Sequence, residues 1–187
     1  MASIDRLKGI ISGKGGIARP NLFNVHLPSR TTSGKIITTS IGSDTMTALC
    51  MDANMPGRQT LTRDRVYGLQ RRKIAYGFAQ DDVSMTFLLT NDYIVKKYFE
   101  NWKQLAVNQN SLEINYHEDY VCDVTIDQLD TNENIVYSCK LKEAFPTTLQ
   151  TIQFNNEPNG TLQLNVQLSY TNWTSDYKKA PEIFDLI

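Results

Sequence analysis

Cysteine and histidine are scarce in this chain of 187 residues. The three cysteines are Cys50, Cys122 and Cys139, and the two histidines are His26 and His117. No pair forms C-x-x-C, and an odd count makes no complete disulfide set. Each cysteine falls in an apolar-alternating stretch, so the reading is three buried, reduced thiols. No apolar run approaches the ~20 residues that span a bilayer. Ile10-Ile11 is too short for a signal-peptide core and runs straight into Ser-Gly-Lys-Gly-Gly. The chain is therefore expected in a reducing cytoplasm, with the sequons at Asn159 and Asn172 read as coincidental. An excess of one charge is also missing: Lys+Arg 19 against Asp+Glu 20 gives a net charge of −1. A protein built to grip a nucleic-acid backbone carries a basic excess.

What is present is an ordinary globular mixture, 41% hydrophobic and 21% charged, of a length for one domain. Residues 1–18, rich in Gly, Lys and Ser, read as a flexible arm. Phe23, Val25 and Leu27 alternate with polar residues as in a half-buried strand. Residues 28–46 read as a long loop or weak hairpin. Leu49, Met51 and Ala53 alternate until Pro56-Gly57. Residues 58–73 are the most basic stretch, six cationic side chains against Asp64 alone. Strand periodicity resumes at Ile74 and Tyr76, and again at Val83, Met85, Phe87 and Leu89.

One helix is expected, about 92–107, with Asn91 as N-cap and Ile94, Tyr98, Trp102 and Leu105 on one face. Residues 120–126 and 135–141 read as a hairpin around Asp130–Asn134, and Phe145-Pro146 as a break in its ladder. A short strand over Leu149–Phe154 and a turn at 155–160 follow. The final strand, 161–170, sets Leu162, Leu164, Val166 and Leu168 against neutral polar residues. The sum is a mainly β fold: an antiparallel β-sandwich or barrel of about seven strands with one flanking α-helix. Its domain is 19–174, followed by a C-terminal tail at 175–187.

Chemistry finds no constellation. Gly9 to Gly15 misses a phosphate-binding loop in its spacer and lacks the Ser or Thr after Lys14. No histidine pair has metal-ligand spacing. Asp81-Asp82 and Glu118-Asp119 read as solvated turn charges, and no Ser lies in a nucleophile elbow. No catalytic residue, cofactor site or metal site is expected. The basic segment 58–73 reads either as a salt-bridging or phosphate-contacting loop or as a solvated hairpin edge.

Four stretches in order carry a resemblance: Ala18-Arg19-Pro20-Asn21-Leu22-Phe23-Asn24-Val25, Ala53 to Gly57, Arg71-Arg72-Lys73-Ile74 through Asn91-Asp92 to Trp102, and Leu141 through Pro146 to Trp173. Over residues 17–174 the chain resembles the tail tube proteins of contractile-tailed bacteriophages. The loop at 28–46 and the tail beyond Trp173 depart from the family pattern. The resemblance implies a structural virion protein. Six copies form a ring, and rings stack into a tail tube that conducts double-stranded DNA inside a contractile sheath. Expected partners are further copies of the chain, the tail sheath protein, and baseplate and tube-terminator proteins, with assembly in the host cytoplasm. A tube-end or baseplate-junction protein, or a tube protein of a bacterial contractile injection or secretion system, would share the pattern.

On that basis, Arg19, Asn21, Phe23, Arg65, Arg71, Arg72, Lys73, Asp81 and Asp82 are candidate subunit or ring interface residues. Strands near 20–27, 83–90 and 161–170 are expected to build a barrel that continues between subunits. Thr161, Gln163, Asn165, Gln167 and Ser169 are candidate lumen-lining residues, since neutral polar groups wet a channel without holding phosphates. The arm and the 28–46 loop are expected to order on assembly.

Overall fold

The computed structural model describes residues 3–13, 16–38, 42–154 and 160–177. Lys14, most of the 155–160 turn and the tail from 178 lie outside the described residues. Nine strands and four helices occur in the described chain: α1 (Ile4–Gly13), β1 (Phe23–His26), α2 (Ser43–Leu49), β2 (Cys50–Ala53), β3 (Arg58–Tyr67), β4 (Gln70–Gln80), β5 (Val83–Leu88), α3 (Ile94–Ala106), α4 (His117–Tyr120), β6 (Cys122–Leu129), β7 (Ile135–Leu149), β8 (Gln163–Ser169) and β9 (Asn172–Tyr177).

Seven strands form one antiparallel sheet in the order β1-β6-β7-β8-β5-β2, with β9 also on β7. The remaining pair, β3-β4, stands apart as its own two-stranded sheet. Side chains from both halves of the large sheet, among them Val124, Ile126 and Leu141 with Met85, Phe87 and Val166, join one buried cluster. The sheet thus closes over its own core as a β-sandwich, and α3 flanks it. Strand β8 shows why the alternation was readable: Leu164, Val166 and Leu168 are buried while Gln163 is exposed.

Helix α3 fills the core with aromatics. Val95, Tyr98, Phe99 and Trp102 are buried on one face. Phe99 stacks near Trp102 at 6.3 Å and meets Phe87 of β5 at 5.2 Å. The two polar tips are satisfied, since Trp102 Nε1–H donates to Tyr120 O (2.7 Å) and Tyr98 O–H donates to Pro28 O (2.6 Å). The helix starts two residues later than the sequence implied. Tyr93 takes the N-cap position in the left-handed region (φ 52°), and Asp92 Oδ1 rather than Asn91 accepts the Ile94 N–H. A hydrogen bond from the Thr90 hydroxyl holds the Asp92 carboxyl below its ordinary range.

Several expectations change. Phe145-Pro146 does not break the ladder: β7 continues to Leu149, with Pro146 opposite Leu168 and a bulge just after it. Such a bulge is where a strand tolerates proline. Residues 151–154 carry no regular structure. The 28–46 segment holds a weak hairpin, bridged at Arg30 and Ile36, and then α2, whose Met46 enters the core. Thr and Ser residues masked that helix, because they have weak helical preference. It is held from outside instead, by Met46 and by Thr47 Oγ1–H donating to Val25 O (2.8 Å). Residues 4–13 form a helix where no regular element was read, and the strand Asn172–Tyr177 runs past residue 174 into the stretch read as tail.

All three cysteines are free, Cys122 and Cys139 buried and Cys50 half-buried. Burial pushes the Cys50 thiol up to about 12 and Cys139 to about 11, and raises Cys122 as well. His26 belongs to a polar network on the outer face of β6. Asp127, 4% exposed, lies 3.1 Å from His26 Nε2 and accepts a short hydrogen bond from the Ser138 hydroxyl. The carboxylate sits between imidazole and hydroxyl, so His26 is not placed to take a proton from Ser138.

Candidate subunit interface

The basic segment lies in the β3-β4 hairpin. Strand β3 runs ten residues, about 33 Å at the usual rise. Every residue of β3 except Leu61 is exposed. This explains the missing alternation: a hairpin with no core behind it has no face to make apolar. Gly68 (φ 60°) supplies the left-handed turn position between Tyr67 and Gln70, and leaves Leu69 fully exposed at the tip.

The hairpin's two faces differ. On one, Asp64 opposes Lys73 and is ion-paired with Arg71 (3.5 Å). On the other, Arg65 directly opposes Arg72, with Arg63 two residues along. Among the described residues these three arginines make no ion pair; Arg65 lies over the Tyr67 ring at 5.2 Å. Like charges placed opposite each other weaken a strand pair, and a lone two-stranded hairpin is marginal in water.

The root of the hairpin is braced. Arg58 donates to Asn172 Oδ1 (2.8 Å), and its guanidinium lies over Phe78 (4.9 Å) and Trp173 (5.4 Å). Tyr170 O–H donates to the Asp81 carbonyl just beyond β4. Arg58 and Trp173, which tie the hairpin to β9, were not among the expected interface residues. Their signal was only the cation–aromatic pairing of residues more than a hundred apart in sequence.

The expected interface residues are therefore spread over separate places. Arg65, Arg72 and Lys73 lie along the hairpin, and Arg71 already has an internal partner. Asp81 and Asp82 are exposed at the β4-β5 turn. Asp119, read from the sequence as a solvated turn charge, is engaged by Lys35 at 3.0 Å, a contact that lowers its carboxyl below the ordinary value. Arg19 and Asn21 precede β1, held by Gln128 Nε2–H donating to the Arg19 and Leu22 carbonyls. Phe23 begins β1, an edge strand of the large sheet, but α2 already engages that edge, since Thr47 donates to the Val25 carbonyl. Strands β5 and β8 are interior, paired on both sides within the chain. They offer no edge, and only a face.

That face carries Gln163, Asn165 and Gln167 of β8 beside Leu88, Thr86 and Ser84 of β5. Asn165 Nδ2–H donates to both the Ser84 and Thr86 hydroxyls (3.0 and 3.2 Å). Ser169 follows on the same side, while Thr161 is exposed just before the strand. The surface is polar and, along these two strands, uncharged. No group of three metal-ligating side chains occurs among the described residues. A cavity of about 280 Å³ beside α2 is lined by Leu27, Pro28, Ser29, Thr38, Gly42, Met46 and Tyr98, without an acid, base or thiol. No helix among the described residues is long and apolar enough to cross a membrane.

The model of the phage tail tube protein family matches residues 18–176. The chain belongs to the phage tail tube protein family. Its fold recurs in solved structures of contractile assemblies. It is similar to the anti-feeding prophage tube-terminating cap (TM-score 0.61, 14% identity, covering 87% of this chain and 92% of that one). It is also similar to a chain of the sheath/tube terminator of the PVC extracellular contractile injection system (0.60, 12%, covering 86% and 96%) and one of the PVC sheath-tube complex (0.56, 13%, 87% and 93%). No curated protein sequence matches. As a tail tube family member the chain is a structural, tube-type protein.

Proposed function

We propose that this tail tube family protein forms closed rings of six copies, stacked into the inner tube of a contractile tail. The observation that carries the reading is the hairpin: two long strands projecting from the sandwich, with a guanidinium face that makes no ion pair among the described residues. A ring needs one heterologous contact that closes and a stack needs a second that propagates. The hairpin, rooted firmly at Arg58 and uncovered beyond, fits the propagating contact, with exposed carboxylates such as Asp81 and Asp82 of the adjacent ring as its counterpart. The segment entering β1, with Arg19, Asn21 and Phe23, fits the closing one.

The neutral face of Gln163, Asn165 and Gln167 would line the lumen. Double-stranded DNA would then pass through without the phosphate contacts that retain it. The sheath would surround the tube, and terminator and baseplate proteins of the same tail would meet its ends. Negative-stain electron microscopy of the purified protein tests the reading. Stacked rings or tubes are expected; particles that stay monomeric at high concentration, even with baseplate present, overturn it.

A further inference from the structure

We infer that α1 of one copy docks on the α3-α4 loop of a second copy, a head-to-tail contact separate from the hairpin. Helix α1 places Ile4, Leu7, Ile10 and Ile11 along one side, yet none of its residues is buried; Ile4 is 71% exposed and Leu7 56%. A ten-residue helix is marginal in water without a surface to pack on. Its apolar stripe therefore marks a missing neighbour.

The α3-α4 loop is its counterpart. It is stiffened by its own bonds: Val107 bridges Ile114, and Asn115 Nδ2–H donates to Leu105 O (2.9 Å). That rigid frame holds Leu112 (79% exposed), Ile114 (78%) and Tyr116 (87%) in water. Leu112 also has a left-handed backbone, φ 58°. A leucine that is both strained and exposed is unfavourable twice over in the free chain, and such strain collects at contact sites.

Charge and position select a second copy as the occupant. Arg6 and Lys8 outnumber Asp5 on α1, whereas the loop and α4 carry Glu113 and Glu118, which make no ion pair among the described residues. The chain leaving α1 is pinned at the C-terminal end of β6 through Gln128, whereas the loop leads through α4 into the N-terminal end of the same strand. Eight residues of strand, about 26 Å, separate that anchor at Arg19 from the start of β6 to which the loop leads. Complementary surfaces tethered to opposite ends of one strand favour a contact that repeats from copy to copy. This rests on the self-assembly proposed above.

The test mixes two full-length single variants, Leu7→Cys and Ile114→Cys, assembles them together and oxidises them, with each variant alone and the wild-type chain as controls for Cys50. A disulfide-linked dimer that appears only in the mixture is the expected result, and because each chain holds one new thiol it reports a contact between copies. Ile4→Cys with Leu112→Cys is the second pair, in case one variant fails to assemble. Rings or tubes that form without that dimer from either pair overturn the docking and leave the tube reading intact. A dimer from Leu7→Cys alone shows helix pairing with helix and also overturns it. Failure of the wild-type chain to assemble removes both.

Discussion

Arg65 and Arg72 face each other as direct cross-strand partners near the tip of the β3-β4 hairpin, with no carboxylate between them. In the free chain this opposition costs stability, on the order of a few tenths of a kcal/mol. The cost disappears where an anionic surface of another copy meets the same face. Arg72→Glu separates the two states. It places an opposite charge across from Arg65, so the hairpin of the unassembled chain should become more resistant to limited proteolysis. Assembly should weaken in the same variant. A variant that assembles normally removes the hairpin face from the ring-to-ring contact.

Ionic strength probes the same contact without mutation. Screening length falls from about 10 Å at 0.1 M salt to about 3 Å at 1 M. If guanidinium–carboxylate contacts join the rings, sedimentation should show stacks shortening toward single rings as salt rises. Stack length that is independent of salt would assign ring stacking to apolar contacts.

Arg58 should govern how firmly the hairpin stands. Arg58→Ala removes the hydrogen bond to Asn172 and the packing over Phe78 and Trp173. Amide exchange should then rise along β3 and β4 while β6 and β8 keep their protection. Uniformly faster exchange would place Arg58 in the global stability of the sandwich instead.

Trp102 tests the core. It is fully buried and hydrogen-bonded to Tyr120 O. Trp102→Ala should cost about 3–5 kcal/mol, read from the urea midpoint. Trp102→Phe keeps most of the volume and loses the donor, and should cost clearly less.

Alkaline pH should destabilise the chain. Thiols that ionise near 9.0 when unfolded are held up to about 12 at Cys50 and about 11 at Cys139 by burial. Above about pH 9 the unfolded chain releases these protons while the folded chain keeps them, so stability falls as pH rises. Urea midpoints between pH 8 and 10.5 should drop, and Cys50→Ser should reduce the drop. A flat profile would show that the thiols ionise equally in both states.

Elements with one buried face were legible in the sequence. Strand β8 alternates because Leu164, Val166 and Leu168 on its inner face enter the core, and α3 shows its stripe because Tyr98, Phe99 and Trp102 do the same. The hairpin was not, since β3 packs against no core and carries no alternation; only its charge was visible. Helix α2 was hidden because tertiary contacts at Met46 and Thr47, rather than helix-forming residues, hold it. The candidate site was legible only in part. Composition marks 58–73 as basic. Which arginines share a face depends on register, and register is set by the turn at Gly68-Leu69. The assignment of β5 and β8 as joining strands missed that both are already paired on either side.

Strand β7 belongs to both halves of the sandwich: residues 137–142 lie between β6 and β9, and 145–149 pair with β8. Because β8 and β9 run along it in succession, a pull on either layer is passed lengthwise into the other through one unbroken ribbon. Neither layer can peel away while its partner stays closed. The domain should yield all at once or not at all, a useful trait for a wall unit loaded along its axis.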